Sequence, residues 1–383
     1  MSLFGLAVVL AVGLAGPLLA APARARVPVA VGEVLAGVVI GRTGFGWVRP
    51  EEPVLSFLAT VGFALIMLVA GSHVPLRHPA LRSGLRRGAG LAGLAGILAV
   101  PAGFGVAYLT GTGHGELYAV LMASSSAALV MPAIDESGLR STPVVATIVQ
   151  VALADTVCIV AVPLVMDPGR AGTAALGALA VLAAGAAGFL GVRWLRARGL
   201  LARVQRISIV RGFGLELRSQ LILLFVLGGL AQAVGISVML AGFVSGLALA
   251  AEGEPRRLAR QLFAVTDGFL GPVFFVWLGA SLDLRPLAVE PKLLGLAGLL
   301  AAGAVLVHAA AVLARQPLAL AVLASAQLGV PIAAVTIGTR EHLLTPGESG
   351  AVLAAALISV MVTGLAARAA QRRQARTEGE SPR

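Results

Sequence analysis

The chain has 383 residues, 58% of them hydrophobic and 12% charged, with a mean hydropathy of +0.94. These proportions exclude an ordinary water-soluble domain and predict an all-α integral membrane protein. The formal charge of +11 sits in short loops and in the last residues, where arginine reports orientation in a bilayer rather than a nucleic-acid partner, and the lone Cys158 excludes a disulfide framework or a cysteine-built metal centre.

The first apolar stretch, residues 1–21, is followed by Ala-Pro-Ala as a signal peptide would be. It lacks a basic leader and reads as the first transmembrane helix of a unit covering 1–26. Apolar runs separated by charged or Gly/Pro-rich loops then give about 13 transmembrane helices. The spans are 3–19, 27–41, 54–71, 88–109, 117–134, 143–166, 172–192, 217–234, 236–251, 262–281, 293–313, 317–338 and 350–367. The basic segments around Arg86 and Arg87, around Arg193 and Arg196, and around Arg256, Arg257 and Arg260 fall on one side when the spans alternate. That side is expected to be cytoplasmic, with the basic tail 368–383 inside and the N-terminus outside, in a bacterial inner (plasma) membrane.

Two pairs of segments repeat. Span two carries LAGVVIG from Leu35 and span nine LAGFVSG from Leu240, an offset of 205. Span five carries SAALVMP ending at Pro132 and span twelve SAQLGVP ending at Pro331, an offset of 199. Two matches at nearly one offset predict two five-helix repeats, 27–166 (spans two to six) and 235–367 (spans nine to thirteen), joined by linker helices in 167–234. Seven spans separate their starts, so they enter the membrane from opposite sides. The fold expected is two inverted repeats, with spans four to six and eleven to thirteen as the core helices.

Spans five and twelve combine proline with small or polar residues in mid-membrane: Ser124, Ser125, Ser126 and Pro132 in one, Ser325, Gln327 and Pro331 in the other. Proline removes a backbone donor, and freed backbone groups are tolerated in a membrane only against protein or a wet cavity. Both helices are expected to be discontinuous and crossed. Between them in sequence lies span six, whose only ionisable side chain besides Cys158 is Asp155, close to the helix midpoint. A carboxylate there costs about 2.5–3.5 kcal/mol on insertion scales and belongs on an ion or proton path. Asp155 with Ser125, Ser126 and Gln327 is therefore the candidate cation and proton site, one carboxylate holding either a proton or a hard monovalent cation. Glu33 is expected to bond between helices or to line the cavity, and Asp135 and Glu136 stand at the cytoplasmic end of span five. The sequence offers no nucleophile–base arrangement, metal-ligand spacing or phosphate loop, so an enzyme is not expected.

The motifs VGEVLAGVVIGRTGFG (31–46), FALIMLVAG (63–71), SSSAALVMPAIDESG (124–138), ALAD ending at Asp155, GISVMLAGFVSGLAL (235–249) and FLGPVFFVWLGASLDL (269–284) run in order over nearly the whole transmembrane chain. Jointly they resemble the monovalent cation:proton antiporter superfamily, with the sodium/hydrogen exchanger fold, in its bacterial thirteen-span branch. The resemblance implies a transport core holding crossed broken helices, a dimerisation domain, and elevator-like alternating access in a homodimer. It matches Asp155 to the second position of the family's acidic pair, and Ser125 and Ser126 to the Thr-Ser of its unwound helix.

Two departures stand out. Ala154 occupies the position where sodium-handling members carry Asp or Asn, and span eleven lacks the Lys or Arg that pairs with that residue, with His308 as the nearest substitute. Loss of both partners together avoids an unpaired buried charge. His73 replaces a commonly acidic residue. The expected function is a Na+ or K+/H+ antiporter, electroneutral, with those ions as cargo and no cofactor. Competing readings are a ligand-gated K+ efflux transporter that takes its gating domain from a separate regulatory subunit, a sodium-coupled organic-anion symporter, and a non-transporting membrane sensor.

Overall fold

The computed structural model describes the chain apart from residues 22–28, 74–79, 128, 132–133, 135–140, 167–168, 170, 200–207, 209–210, 212, 254–255 and 380–383. The described residues form helices joined by turns and irregular links, with no strand among them. Among them, nine helices are long and apolar enough to cross a membrane, and three shorter apolar ones join them, Val29–Ile40, Val238–Glu252 and Gly329–Thr339. Pro132, Asp135 and Glu136 lie outside the described residues.

In order the elements are α1 (Leu3–Gly13), α2 (Ala15–Ala20), α3 (Val29–Ile40), α4 (Pro53–Ser72), α5 (Ala80–Thr110), α6 (Gly115–Ala123), α7 (Thr142–Met166), α8 (Ala171–Ala197), α9 (Leu215–Ala233) and α10 (Val238–Glu252). There follow α11 (Arg256–Val265), a π-helical turn Thr266–Leu270, α12 (Gly271–Ser281), α13 (Arg285–Val289), α14 (Pro291–Ala309), a tighter turn Ala310–Ala314, α15 (Leu318–Leu323), α16 (Gly329–Arg340) and α17 (Pro346–Gly379). Polar residues start several of them. Ser2 accepts from the Gly5 amide, Glu52 from the Leu55 amide with Pro53 next, and Ser237 from the Met239 amide, each satisfying an orphan donor of a first turn. Helix α5 begins at Ala80, eight residues before the span at 88, because Arg86 and Arg87 continue the helix beyond its apolar part.

The helices pack in two groups. In one, α3, α4, α10 and α12 pack on one another with α1, α2 and α9 outside them. In the other, α5, α6 and α7 pack with α14, α15, α16 and α17, and α8 touches both groups through α7 and α10. Helices α4 and α10 meet backbone to backbone. A Cβ on Gly246 would stand 2.1 Å from the Leu68 carbonyl oxygen, and one on Gly71 2.3 Å from that of Phe243. Without a hydrophobic drive between helices in lipid, such close approach is what holds them. Outward-facing side chains such as Phe4, Tyr108, Leu306 and Met361 are large and apolar, as a lipid-facing surface requires.

The two ends of the bundle differ. At one, Arg196 of α8 pairs with Glu252 of α10 at 2.9 Å, and Arg87 of α5 donates to the Arg315 carbonyl at 3.1 Å. At the other, Trp277 Nε1 donates to the Pro50 carbonyl at 2.9 Å, and His114 meets Glu348 at 2.6 Å at the starts of α6 and α17.

Candidate functional site

Both expected breaks are present. Helix α6 stops at Ala123, and Ser124 is extended (φ −71°, ψ 156°), its hydroxyl donating to the Leu121 carbonyl at 2.8 Å. Helical bonding resumes from the Ser126 carbonyl, which accepts from the Leu129 and Val130 amides at 3.2 and 3.0 Å. Ser126 thus caps a new half-helix and Ala127 opens it. The second break runs from Ala324 to Leu328, where Ser325 donates to the Val322 carbonyl at 2.7 Å, and α16 restarts at Gly329. Pro331 stands in the first turn of that half-helix, where its missing N–H is one that no helix would use. It is compatible with the restart rather than its cause.

The breaks hold each other. Ser125 donates its hydroxyl hydrogen to the Ala324 carbonyl at 2.6 Å, and Gln327 Nε2 donates to the Leu121 carbonyl at 2.6 Å and more weakly to that of Ser124 at 3.4 Å. The Gln327 amide in turn donates to Ser359 Oγ at 3.3 Å, while Ser359 donates to the Ala356 carbonyl at 2.7 Å. Carbonyls freed where a helix stops must find donors inside a membrane protein, and here each broken helix supplies donors to the other.

Asp155 lies against this crossing. It is 3% exposed, and its Oδ2 accepts from the Ala127 amide at 2.9 Å. That amide belongs to the first residue of a half-helix, so the positive end of the helix dipole faces the carboxylate. No Lys or Arg pairs with Asp155 among the described residues. Ser126, the residue before Ala127, is also buried.

The remaining expected residues divide. Ala154 is buried and apolar beside Asp155. His308 is completely buried, with Nδ1 bonded to the Ala304 carbonyl at 2.9 Å and Nε2 without a partner among the described residues. A carbonyl only accepts, so Nδ1 carries the hydrogen and the ring is held by its own helix. Glu33 is buried on α3, where it packs against Gly16 and feels the charge of Asp267; this is the other helix group from Asp155. Ser124 serves its own helix end. Sequence reasoning passed over Ser359, the Ala127 amide and Gln150, a buried residue on α7 whose carboxamide atoms both lack partners among the described residues. A polar side chain amid apolar neighbours was the available signal for Ser359 and Gln150; the amide carries none.

Chemically the crossing presents one carboxylate, one directed amide and neutral oxygens. That set fits a proton or one small monovalent cation. Among the described residues no group of three His, Cys, Asp or Glu side chains could hold a metal ion of higher charge.

Several known proteins are similar to this chain. YjbQ of Bacillus subtilis, whose name carries a provisional Na+/H+ antiporter assignment, is 24% identical over 400 residues, covering 98% of this chain and 64% of that protein. The Na+/H+ antiporter of Enterococcus hirae is 24% identical over 274 residues, 68% of each chain. The chain thus spans about two thirds of the length of these relatives. Among solved structures, the sodium proton antiporter MjNhaP1 of Methanocaldococcus jannaschii matches with a TM-score of 0.62 at 17% identity, over 96% of both chains, which shows a shared fold. The model of the sodium/hydrogen exchanger transmembrane family matches residues 7–370, and the chain belongs to that family.

Proposed function

We propose that this protein exchanges a monovalent cation, Na+ or K+, for a proton across a bacterial inner membrane, and that the two ions compete for Asp155. The observation that carries the reading is a single buried carboxylate set against the amide end of a half-helix, at the crossing of two broken helices, without a basic partner among the described residues. Ser126 supplies an oxygen to the bound cation, and Ser125 and Gln327 hold the crossing in the shape that binds it. The bound cation meets one negative charge, as the proton does, so each cycle exchanges one charge for one charge and is electroneutral. This is transport without a covalent step, and the protein is not an enzyme.

The two helix groups supply the moving parts. The group with α5, α6, α7 and α14–α17 is the transport core, and the group built on α3, α4, α10 and α12 is the scaffold, through which two copies pair. The repeats 27–166 and 235–367 run in opposite senses, with the N-terminus outside and the basic tail inside. Alternating access follows from movement of the core against the scaffold.

The test is a proteoliposome assay with a trapped pH dye and a panel of alkali cations. Cation-driven pH change in the parent, lost in Asp155→Asn, supports exchange. A parent that responds to no alkali cation, or an Asn variant that exchanges as the parent does, rejects it. A voltage signal driven by turnover would reject electroneutrality alone.

A further inference from the structure

The starts of α6 and α17, at the end of the bundle away from the Arg196–Glu252 pair, share a buried carboxylate that the exchange at Asp155 does not use. Glu348 is 3% exposed, and its Oε1 accepts from the Tyr118 hydroxyl at 2.6 Å and from His114 Nδ1 at 2.6 Å. Tyr118 is fully buried on α6, and His114 immediately precedes that helix. A carboxylate only accepts, so both partners donate to it.

Neither side chain serves its own helix. Thr345, Pro346, Gly347 and Glu348 have the spacing of a capping box, in which the glutamate would reach back to the amide of the first residue. Thr345 Oγ1 does accept from the Glu348 amide at 3.2 Å, but the Glu348 carboxylate is directed to α6 instead. His114 likewise stands at the N-cap of α6 and makes no capping bond with its side chain. Two helix starts thus give up local bonds for bonds between them. An acid buried in a membrane segment is costly, and the default reading of one is a role in function.

We propose that Glu348 is a positioning residue for the ion site: through Tyr118 and His114 it fixes the register of α6, the half-helix that runs into the first break. The inference rests on the exchange function proposed above, and it adds a residue that touches neither ion. Helix α6 has nine residues, too few to hold its place alone. Its contact with α5 is close, since a Cβ on Gly103 would stand 2.3 Å from the Ala119 amide nitrogen. Contacts between small residues set the separation of two helices, whereas directed hydrogen bonds set how far one slides along the other. Such bonds lie at both ends of α6. Glu348 holds Tyr118 and His114 at its start, and Gln327 holds the Leu121 carbonyl at its end. The Gln327 amide is held in turn by Ser359 of α17, the helix that carries Glu348, so the ring of contacts closes. Opening it at Glu348 lets Leu121 and Ser124 shift under Gln327, and with them the Ala127 amide that bonds Asp155.

The test removes the tie and reads the crossing. Loss of one such bond is expected to shift the balance between held and loosened registers about two- to tenfold. In proteoliposomes, Glu348→Leu and Tyr118→Phe should each raise the cation KM by about that factor, with the maximal rate within about twofold of the parent. Glu348→Gln keeps an acceptor for Tyr118 and should lie nearer the parent than Glu348→Leu. The double variant of Tyr118→Phe with Glu348→Leu should be no worse than Glu348→Leu alone, because both remove the same bond. A readout free of turnover separates the tie from the exchange function: hydrogen–deuterium exchange of the amides of residues 121–127, in purified protein without an ion gradient, should be faster in Glu348→Leu and in Tyr118→Phe. Should Glu348→Leu fail to fold, Tyr118→Phe carries the same test. The parent KM in these variants, additive effects in the double variant, or unchanged amide exchange at 121–127 overturns the proposal. A parent that exchanges no ions rejects the exchange function, and the amide exchange still decides the tie.

Discussion

Replacing Gln327 by leucine tests whether the two broken helices depend on each other. Leucine keeps much of the volume but removes the amide that donates to Leu121 and Ser124. The 2.6 Å bond is the strong one, and Leu121 retains the Ser124 hydroxyl and the Ser124 amide at 3.1 Å. The Ser124 carbonyl is left with less. A net hydrogen bond contributes about 0.5–1.5 kcal/mol, and a buried acceptor left short costs about 1–3 kcal/mol, so a loss of about 1–3 kcal/mol is expected. The Gln327 backbone amide still reaches Ser359, so the loop loosens rather than unfolds. Thermal unfolding in detergent should show the lower stability, and proteoliposome kinetics should show a raised cation KM, because the Ser125–Ala324 bond and the Ala127 amide lose their common frame. Gln327→Glu removes the donor at similar shape and should do the same or worse, since it buries a second acid near Asp155. Unchanged stability and an unchanged KM in Gln327→Leu would refute mutual support of the breaks.

Other perturbations follow from particular contacts. Gly246→Ala puts a Cβ against the Leu68 carbonyl at a distance no real contact shows, so α4 and α10 must separate; stability should fall by about 1–3 kcal/mol in thermal unfolding. Ser126→Ala removes a buried hydroxyl at the start of the half-helix that faces Asp155 and should raise cation KM severalfold while leaving the fold intact, as circular dichroism would verify. His308→Lys alone buries an ammonium without an acid and should destabilise the protein, whereas adding Ala154→Asp should restore it. The double-mutant cycle is expected to show a coupling of about 1 kcal/mol or more, and no coupling would mean the two positions do not face each other.

Much of this architecture is legible in the sequence because the bilayer imposes strong rules. Span lengths and hydropathy located the long helices, and the repeated serine–alanine–proline pattern pointed to interruptions in spans five and twelve, where helices do stop, at Ala123 and Leu323. The cause was less legible. Pro331 sits after its break, and the interruption at Ser124–Ser126 is held by hydroxyls and by Gln327, contacts made across 199 to 206 residues of sequence. Such pairings depend on three-dimensional placement that periodicity does not encode. Asp155 stood out because a lone carboxylate in an apolar helix is costly wherever it points, yet its partner, the Ala127 amide, is backbone and leaves no trace in composition. Glu33 is equally buried, but the sequence could not say that it belongs to the other group of helices.

The most direct test of the account is proton release on cation binding, measured with purified protein in unbuffered detergent solution as Na+ or K+ is added. The account predicts about one proton released per protein at saturation, with half-saturation moving to higher cation concentration as the pH is lowered, and no release from Asp155→Asn. Cation binding without proton release, or equal release from the Asn variant, would contradict it.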